Sequence, residues 1–177
     1  MPACSKAERF AEIAQTLGIP ADYGKTRRLK LQREAREQDL RQVGETLDGR
    51  EVLLEWNAAS AWKAMSRAAE RLNVTLIPLS GFRSIDRQVE IIRRKLAAGE
   101  AIESILKLVA APGYSEHHSG RAVDIGTPGE RPLEESFAAT EAFRWLERHA
   151  GEFEFSLSYP AENEHGIAYE PWHWRFR

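Results

Sequence analysis

Residues 112–125 read Pro112-Gly113-Tyr114-Ser115-Glu116-His117-His118-Ser119-Gly120-Arg121-Ala122-Val123-Asp124-Ile125: a chain break, the densest polar cluster in the sequence, and then an alternating run. The alternation from Arg121 to Ile125 predicts a strand buried on one face. With Val123 and Ile125 turned to the core, Asp124 points to the opposite face. Two further strands are predicted late in the chain. Phe153, Phe155, Leu157 and Tyr159 fall on one side of an alternating stretch, and Tyr169 to Phe176 forms the last strand. Helical patterns dominate the first half. Helices early and strands mostly late predict an α+β fold with a small antiparallel sheet.

Upstream, Val74 to Leu79 is a β-branched apolar run that predicts a buried strand. It leads into Ser80-Gly81-Phe82-Arg83-Ser84, a turn opening a helix that carries Val89, Ile91, Ile92 and Leu96. Ser84 is suited to cap that helix, and Asp86 sits in its positive first turn. Gly99 closes it, and a second helix runs to about Val109. From Val52 to Leu72 the spacing predicts a longer helix, with Trp56 and Trp62 in the core. Residues 6–17 form an amphipathic helix ended by Gly18 and Pro20, and the charge-dense residues 26–42 a solvated helix or arm. Downstream, residues 133–150 predict a helix carrying Phe137, Phe143, Trp145 and Leu146. The expected organisation is an N-terminal helical extension, residues 1–50, and a second unit, residues 51–177, holding every candidate for chemistry.

A chain of 177 residues with 42% hydrophobic and 29% charged residues is long enough for one sizeable core. Net charge is −2 and the basic residues are mixed with acidic ones, so nucleic-acid binding is not expected. The single cysteine, Cys4, cannot make an internal disulfide. No stretch approaches the roughly 18 apolar residues of a membrane span. The first residues lack the apolar region of a signal peptide, so the expected location is the cytoplasm.

A catalytic zinc takes three nitrogen or oxygen ligands and leaves one position open. His117 in its loop, Asp124 on the following strand and His173 on the last strand offer that set. Glu170, three residues before His173, is placed to serve as a base beside the metal. Pro171 disfavours a helix there, so this pair sits on a strand or turn. Arg83, after the Gly81 turn, is a candidate cation for the oxygen on which charge develops in acyl transfer. Singly, each of these residues has an ordinary structural explanation; their joint arrangement is what points to a metal centre. His118, His149 and His165 carry less: a loop neighbour of His117, a residue compensating a helix C-terminus, and a member of an acidic loop.

Ser115-x-His117-x-x-Gly120-x-Ala122-x-Asp124, followed by Glu170-x-x-His173-Trp174, resembles the signature of the D-alanyl-D-alanine carboxypeptidase family of zinc peptidases, the VanY-like group. The resemblance covers roughly residues 52–177. It implies a small antiparallel sheet flanked by helices, a fold shared with hedgehog-type signalling domains. It further implies His117, Asp124 and His173 as ligands of one Zn²⁺ per chain, Glu170 as general base, and Arg83 on the scissile carbonyl. Ser115 and Gln88 are implied as contacts to substrate near its terminal residue. Two positions depart from the family: His118 stands where Gln is frequent, and Ser158 where Arg is frequent. Both lie where substrate is recognised.

The expected activity is hydrolysis of a terminal D-amino acid from peptidoglycan stem peptides, as a D,D- or L,D-carboxypeptidase. The expected location favours L,D-trimming of recycled muropeptides. Two alternatives are a peptidoglycan endopeptidase of phage-lysin type and a zinc-containing binding module without turnover; Glu170 and Arg83 argue against the second.

Overall fold

Two antiparallel sheets organise the chain in the computed structural model, which describes residues 6–46 and 48–177. Cys4 lies outside the described residues. The first sheet is a hairpin of β1 (Leu40–Glu45) and β2 (Glu51–Glu55), with a bulge between Gln42 and Gly44. The second has four strands in the order β3 (Ile77–Ser80), β4 (Ala122–Gly126), β6 (His173–Phe176) and β5 (Phe155–Leu157). Asp124 of β4 pairs with His173 of β6 on one side and with Ser80 of β3 on the other. This row of three residues runs across the sheet on the face away from Val123 and Ile125.

Among the described residues six α-helices surround the sheets: α1 (Lys6–Leu17), α2 (Tyr23–Thr26), α3 (Trp56–Glu70), α4 (Ile85–Ala97), α5 (Ile102–Leu108) and α6 (Glu141–His149). The α+β architecture therefore stands as expected from the sequence. Apolar residues of α3, α6 and β4–β6 form the larger core, including Leu54, Trp62, Met65, Ile125 and Phe155. A second core joins Leu17, Ile19 and Tyr23 to Val89, Ile92 and Ile105 of α4 and α5. Ser84 caps α4 as its sequence predicts, its Oγ accepting a hydrogen bond from Arg87 N at 3.1 Å.

Three local expectations are corrected. Val52 to Leu72 is a strand followed by a helix: Val52 and Leu54 alternate inward on β2, and α3 begins only at Trp56. Trp56, on the first turn, is therefore 54% exposed, whereas Trp62 is buried as expected. β4 is buried on both faces, because it is a central strand whose outer face is covered by the polar groups described below. Residues 133–150 contain a 3₁₀ turn, Glu135–Ala139, and helix only from Glu141. Thr140 divides the two by capping α6, accepting from Phe143 N at 3.1 Å.

Residues 26–42 follow α2 as an extended arm, then a 3₁₀ turn over Glu37–Asp39, then β1. The arm donates backbone hydrogen bonds from Gln32 to Gly113 O and from Ala35 to His118 O, both at 2.8 Å. Among the described residues no helix is long and apolar enough to cross a membrane.

These burial differences set contrasting stabilities. Phe155 is buried and packs against Phe176 with ring centroids 5.6 Å apart. Phe155→Ala is expected to lower unfolding free energy by about 3–5 kcal/mol. Trp56→Ala is expected to change it by no more than about 0.5 kcal/mol. Urea denaturation with chelator present, so that metal binding does not mask the difference, measures both.

Candidate active site

The last strand and the turn before it supply two of the candidate residues. Glu170-Pro171-Trp172-His173 is a tight turn closed by His173 N donating to Glu170 O at 3.0 Å, with Pro171 at the position that favours it. The turn folds Glu170 back so that its Oε2 lies 3.8 Å from His173 Nδ1. His117 comes from the 3₁₀ turn Glu116–Ser119, which Gly120 ends in the left-handed region at φ 67°. A Cβ at Gly120 would also stand 2.9 Å from Glu55 N, so glycine is required on both grounds. Arg83 leaves the β3–α4 turn at Gly81, where a Cβ would come within 2.3 Å of Leu53 O.

These elements bring His117, Asp124 and His173 together, each buried, with one donor atom from each within 4.8 Å of the others. His117 Nδ1 donates to Gly81 O at 2.7 Å, which leaves the Nε2 lone pair facing Asp124 Oδ2 at 3.3 Å. His173 Nε2 lies 3.0 Å from Glu116 Oε2, and its Nδ1 faces Asp124 Oδ1 at 3.0 Å. Each imidazole is thus anchored through one nitrogen and presents the other to the same carboxylate. Two nitrogens and a carboxylate oxygen, with hydrogen-bonded supports behind them, fit a catalytic zinc.

The electrostatics follow from the packing. Burial pushes His117 below the usual imidazole range, so it stays neutral and free to bind a cation. Burial opposes ionisation of Asp124, but the neighbouring His117 and His173 outweigh it and hold its carboxyl well below the usual range. For His173, burial is overcome by hydrogen bonds to Asp124 and Glu116, which raise it to about 10. In the protein alone a proton therefore sits between His173 and Asp124, where a cation would take its place. Glu170 moves the other way. Burial, joined by repulsion from Asp124 and Glu116 and opposed by His173 and Arg83, raises it to about 7.

Arg83 and Ser115 line the same cleft of about 540 Å³ as these four residues. The Arg83 guanidinium donates to Ser80 Oγ and Gln88 Oε1, each at 3.1 Å, and stands 4.0 Å from Asp124 Oδ2. Gln88 is buried and spends its amide inside the protein, donating to Ala110 O at 2.6 Å while accepting from Arg83. His149 and His165 lie apart from the cleft. The former pairs with Glu152 at 2.9 Å and the latter meets Arg27 O at 2.9 Å. His118 points away from the cluster into the protein interior.

Sequence reasoning missed Glu116 and Tyr159. The Glu116 carboxylate meets His173 Nε2, Ser158 Oγ at 2.6 Å and Arg175 Nη1 at 3.0 Å. Burial works against its charge, but the His173, Ser158 and Arg175 contacts hold it at about 2. Tyr159 packs its ring on His173 with centroids 4.9 Å apart. Adjacency to His117 was the only available signal for Glu116, whose partner lies 57 residues away.

Comparison with known proteins places this geometry among relatives. The chain is 37% identical over 123 residues to the Bacillus subtilis protein YodJ, covering 67% of this chain and 44% of that protein. It is 34% identical over 119 residues to a D-alanyl-D-alanine carboxypeptidase of Enterococcus faecalis, covering 62% and 42%. It thus spans less than half the length of these relatives. Among solved structures it resembles the LD-carboxypeptidase LdcB, with TM-score 0.72 and 31% identity over 80% of this chain and 69% of that one. It also resembles a variant of the vancomycin-resistance D,D-pentapeptidase VanY solved with Zn(II), with TM-score 0.62 and 27% identity over 84% and 85%. The profile of the VanY D-alanyl-D-alanine carboxypeptidase family matches residues 51–177, the span holding every residue of the cluster, and the chain belongs to that family.

Proposed function

We propose that this protein is a zinc-dependent carboxypeptidase that removes a terminal D-amino acid from peptidoglycan stem peptides. One observation carries the reading: His117, Asp124 and His173 bring one donor atom each within 4.8 Å of the others, with Glu170 Oε2 3.8 Å from His173 Nδ1 and Arg83 in the same cleft. Family membership and the carboxypeptidase activities of the relatives support it.

His117, Asp124 and His173 would hold one Zn²⁺ per chain. Bound there, zinc supplies Lewis acidity, polarising an amide carbonyl and making water a stronger acid at neutral pH. Glu170 takes the proton from the attacking water and returns it to the leaving amine. Arg83 sets a fixed positive charge beside the oxygen that becomes negative. Ser115 contacts the substrate near its terminal residue. Gln88 lines the same cleft and would contact the substrate there, while holding the Arg83 guanidinium. Glu116 orients His173 from behind, and Ser158 and Arg175 in turn hold Glu116. A binding module without turnover has no need of Glu170 and Arg83 in this cleft, and the presence of both favours an enzyme.

Three outcomes are expected. The zinc-loaded protein should release D-Ala from stem peptides ending in D-Ala-D-Ala, or from those ending in L-Lys-D-Ala or L-meso-diaminopimelate-D-Ala, and chelator should stop it. Which series is cut, read by quantifying free D-Ala, fixes D,D- against L,D-specificity; cleavage of neither by zinc-loaded protein refutes the proposal. Glu170→Gln should keep zinc, by metal analysis, and lose about 10²–10⁴-fold in kcat. Full activity in that variant removes Glu170 as the base. Glu116→Gln should weaken zinc binding by about 10–100-fold in a competitive chelator titration while leaving the fold intact by circular dichroism.

A further inference from the structure

We infer that His118 is a positioning residue that fixes Arg83 relative to the metal ligands. The inference rests on the reading of Arg83 as the cation facing the scissile carbonyl. His118 is fully buried and follows the candidate ligand His117, yet both its ring nitrogens are spent on backbone groups outside the cluster. Gly113 N donates to its Nε2 at 3.1 Å, so the ring proton belongs on Nδ1. That nitrogen lies 2.6 Å from the backbone oxygen of Arg83, to which it donates. One neutral imidazole thus accepts from one segment and donates to another.

The other polar group of the Arg83 backbone ends on the same turn. Arg83 N donates to His117 O at 3.1 Å. Both main-chain hydrogen bonds of Arg83 are therefore made to consecutive residues of the metal-binding turn, one to a carbonyl and one to a side chain. The guanidinium is steered separately by Ser80 and Gln88. Removing the His118 ring would leave Arg83 O and Gly113 N without partners in the interior, and the β3–α4 turn would shift to recover them. That turn carries the guanidinium now 4.0 Å from Asp124. The His117 ring is anchored on Gly81 O, at the β3 end of that turn, which Phe82 N holds separately by donating to Leu53 O at 2.6 Å, so the ligand cluster does not need the His118 ring. Loss of His118 should consequently displace the cation and spare the metal.

The closing experiment uses the zinc-loaded full chain and whichever D-Ala-releasing peptide it cleaves. His118→Leu should keep its zinc and lose about 10–100-fold in kcat, the scale of a misplaced catalytic group, with KM changed by less than about threefold. His118→Gln, whose carboxamide both donates and accepts, should recover kcat to within about fivefold of the wild type. In an Arg83→Ala background His118→Leu should cost nothing further, because the group it positions is gone. The proposal is overturned by undiminished kcat in His118→Leu, by a loss that multiplies fully onto Arg83→Ala, or by a Gln variant no better than the Leu one. An Arg83→Ala protein as active as the wild type sinks instead the underlying assignment of Arg83. If His118→Leu does not fold, imidazole ¹⁵N spectra of the wild type decide: a proton held on Nδ1 with Nε2 bare supports the role, and the opposite tautomer overturns it.

Discussion

The pairing register of β4 against β6 is the constraint on which the site depends. Asp124 and His173 are 49 residues apart in the chain and directly opposite each other in the sheet. Because side chains alternate faces, a slip of one residue would turn Asp124 into the core and bring Val123 into the cleft. The apolar face prevents this. Val123 pairs with Trp174, Ile125 lies further along the same strand, and Phe176 pairs with Phe155, all of them buried in the main core. Burial of these side chains thereby dictates which residues stand on the polar face. The geometry of the His117, Asp124 and His173 cluster is a by-product of hydrophobic register.

On that polar face the protein buries several ionisable groups, which is costly unless each is answered. The answers form a chain. Asp124 is met by His173, which is shared between Asp124 and Glu116, and Glu116 is completed by Ser158 and Arg175. Ser158 stands where the family frequently has Arg, and here its hydroxyl donates to the carboxylate that Arg175 also binds. At that position the departure falls behind the metal ligands, on the support of His173. Glu170 is the exception in the network, a partly buried carboxyl with negative neighbours, and its raised pKa follows from that placement. Groups whose local environment opposes their charged form mark functional sites more often than structural ones.

The first 50 residues lie outside the span matched by the family profile, yet the arm around Gln32 and Ala35 is built into the support of the site. Gln32 N donates to Gly113 O just before the His117 turn and Ala35 N to His118 O within it, and Gln32 Oε1 meets Arg175 Nη2 at 3.5 Å. The hairpin adds two more links: Glu55 N donates to Gly120 O, and Phe82 N to Leu53 O. The arm and the hairpin thus hold the His117 turn and the Arg83 turn from behind. Main-chain hydrogen bonds of this kind leave no pattern in residue type, which is why the charge-rich arm reads from sequence only as solvated.

Sequence by itself determined the identities and the faces. The 2-residue alternation put Asp124 opposite Val123 and Ile125, the Pro171 turn kept Glu170 off a helix, and Ser84 announced the start of α4. Those signals are local, carried by neighbouring residues, and so survive without a fold. Tertiary structure decided what depends on long-range packing. It made Val52–Glu55 a strand rather than the first turn of α3, exposed Trp56, and buried both faces of β4. It also brought Glu116 to His173, turned His118 inward to Arg83, and spent the Gln88 amide on the protein itself. Each of these is a contact between segments distant in the chain, and a hydrogen-bond partner that distant has no expression in the residues on either side of it.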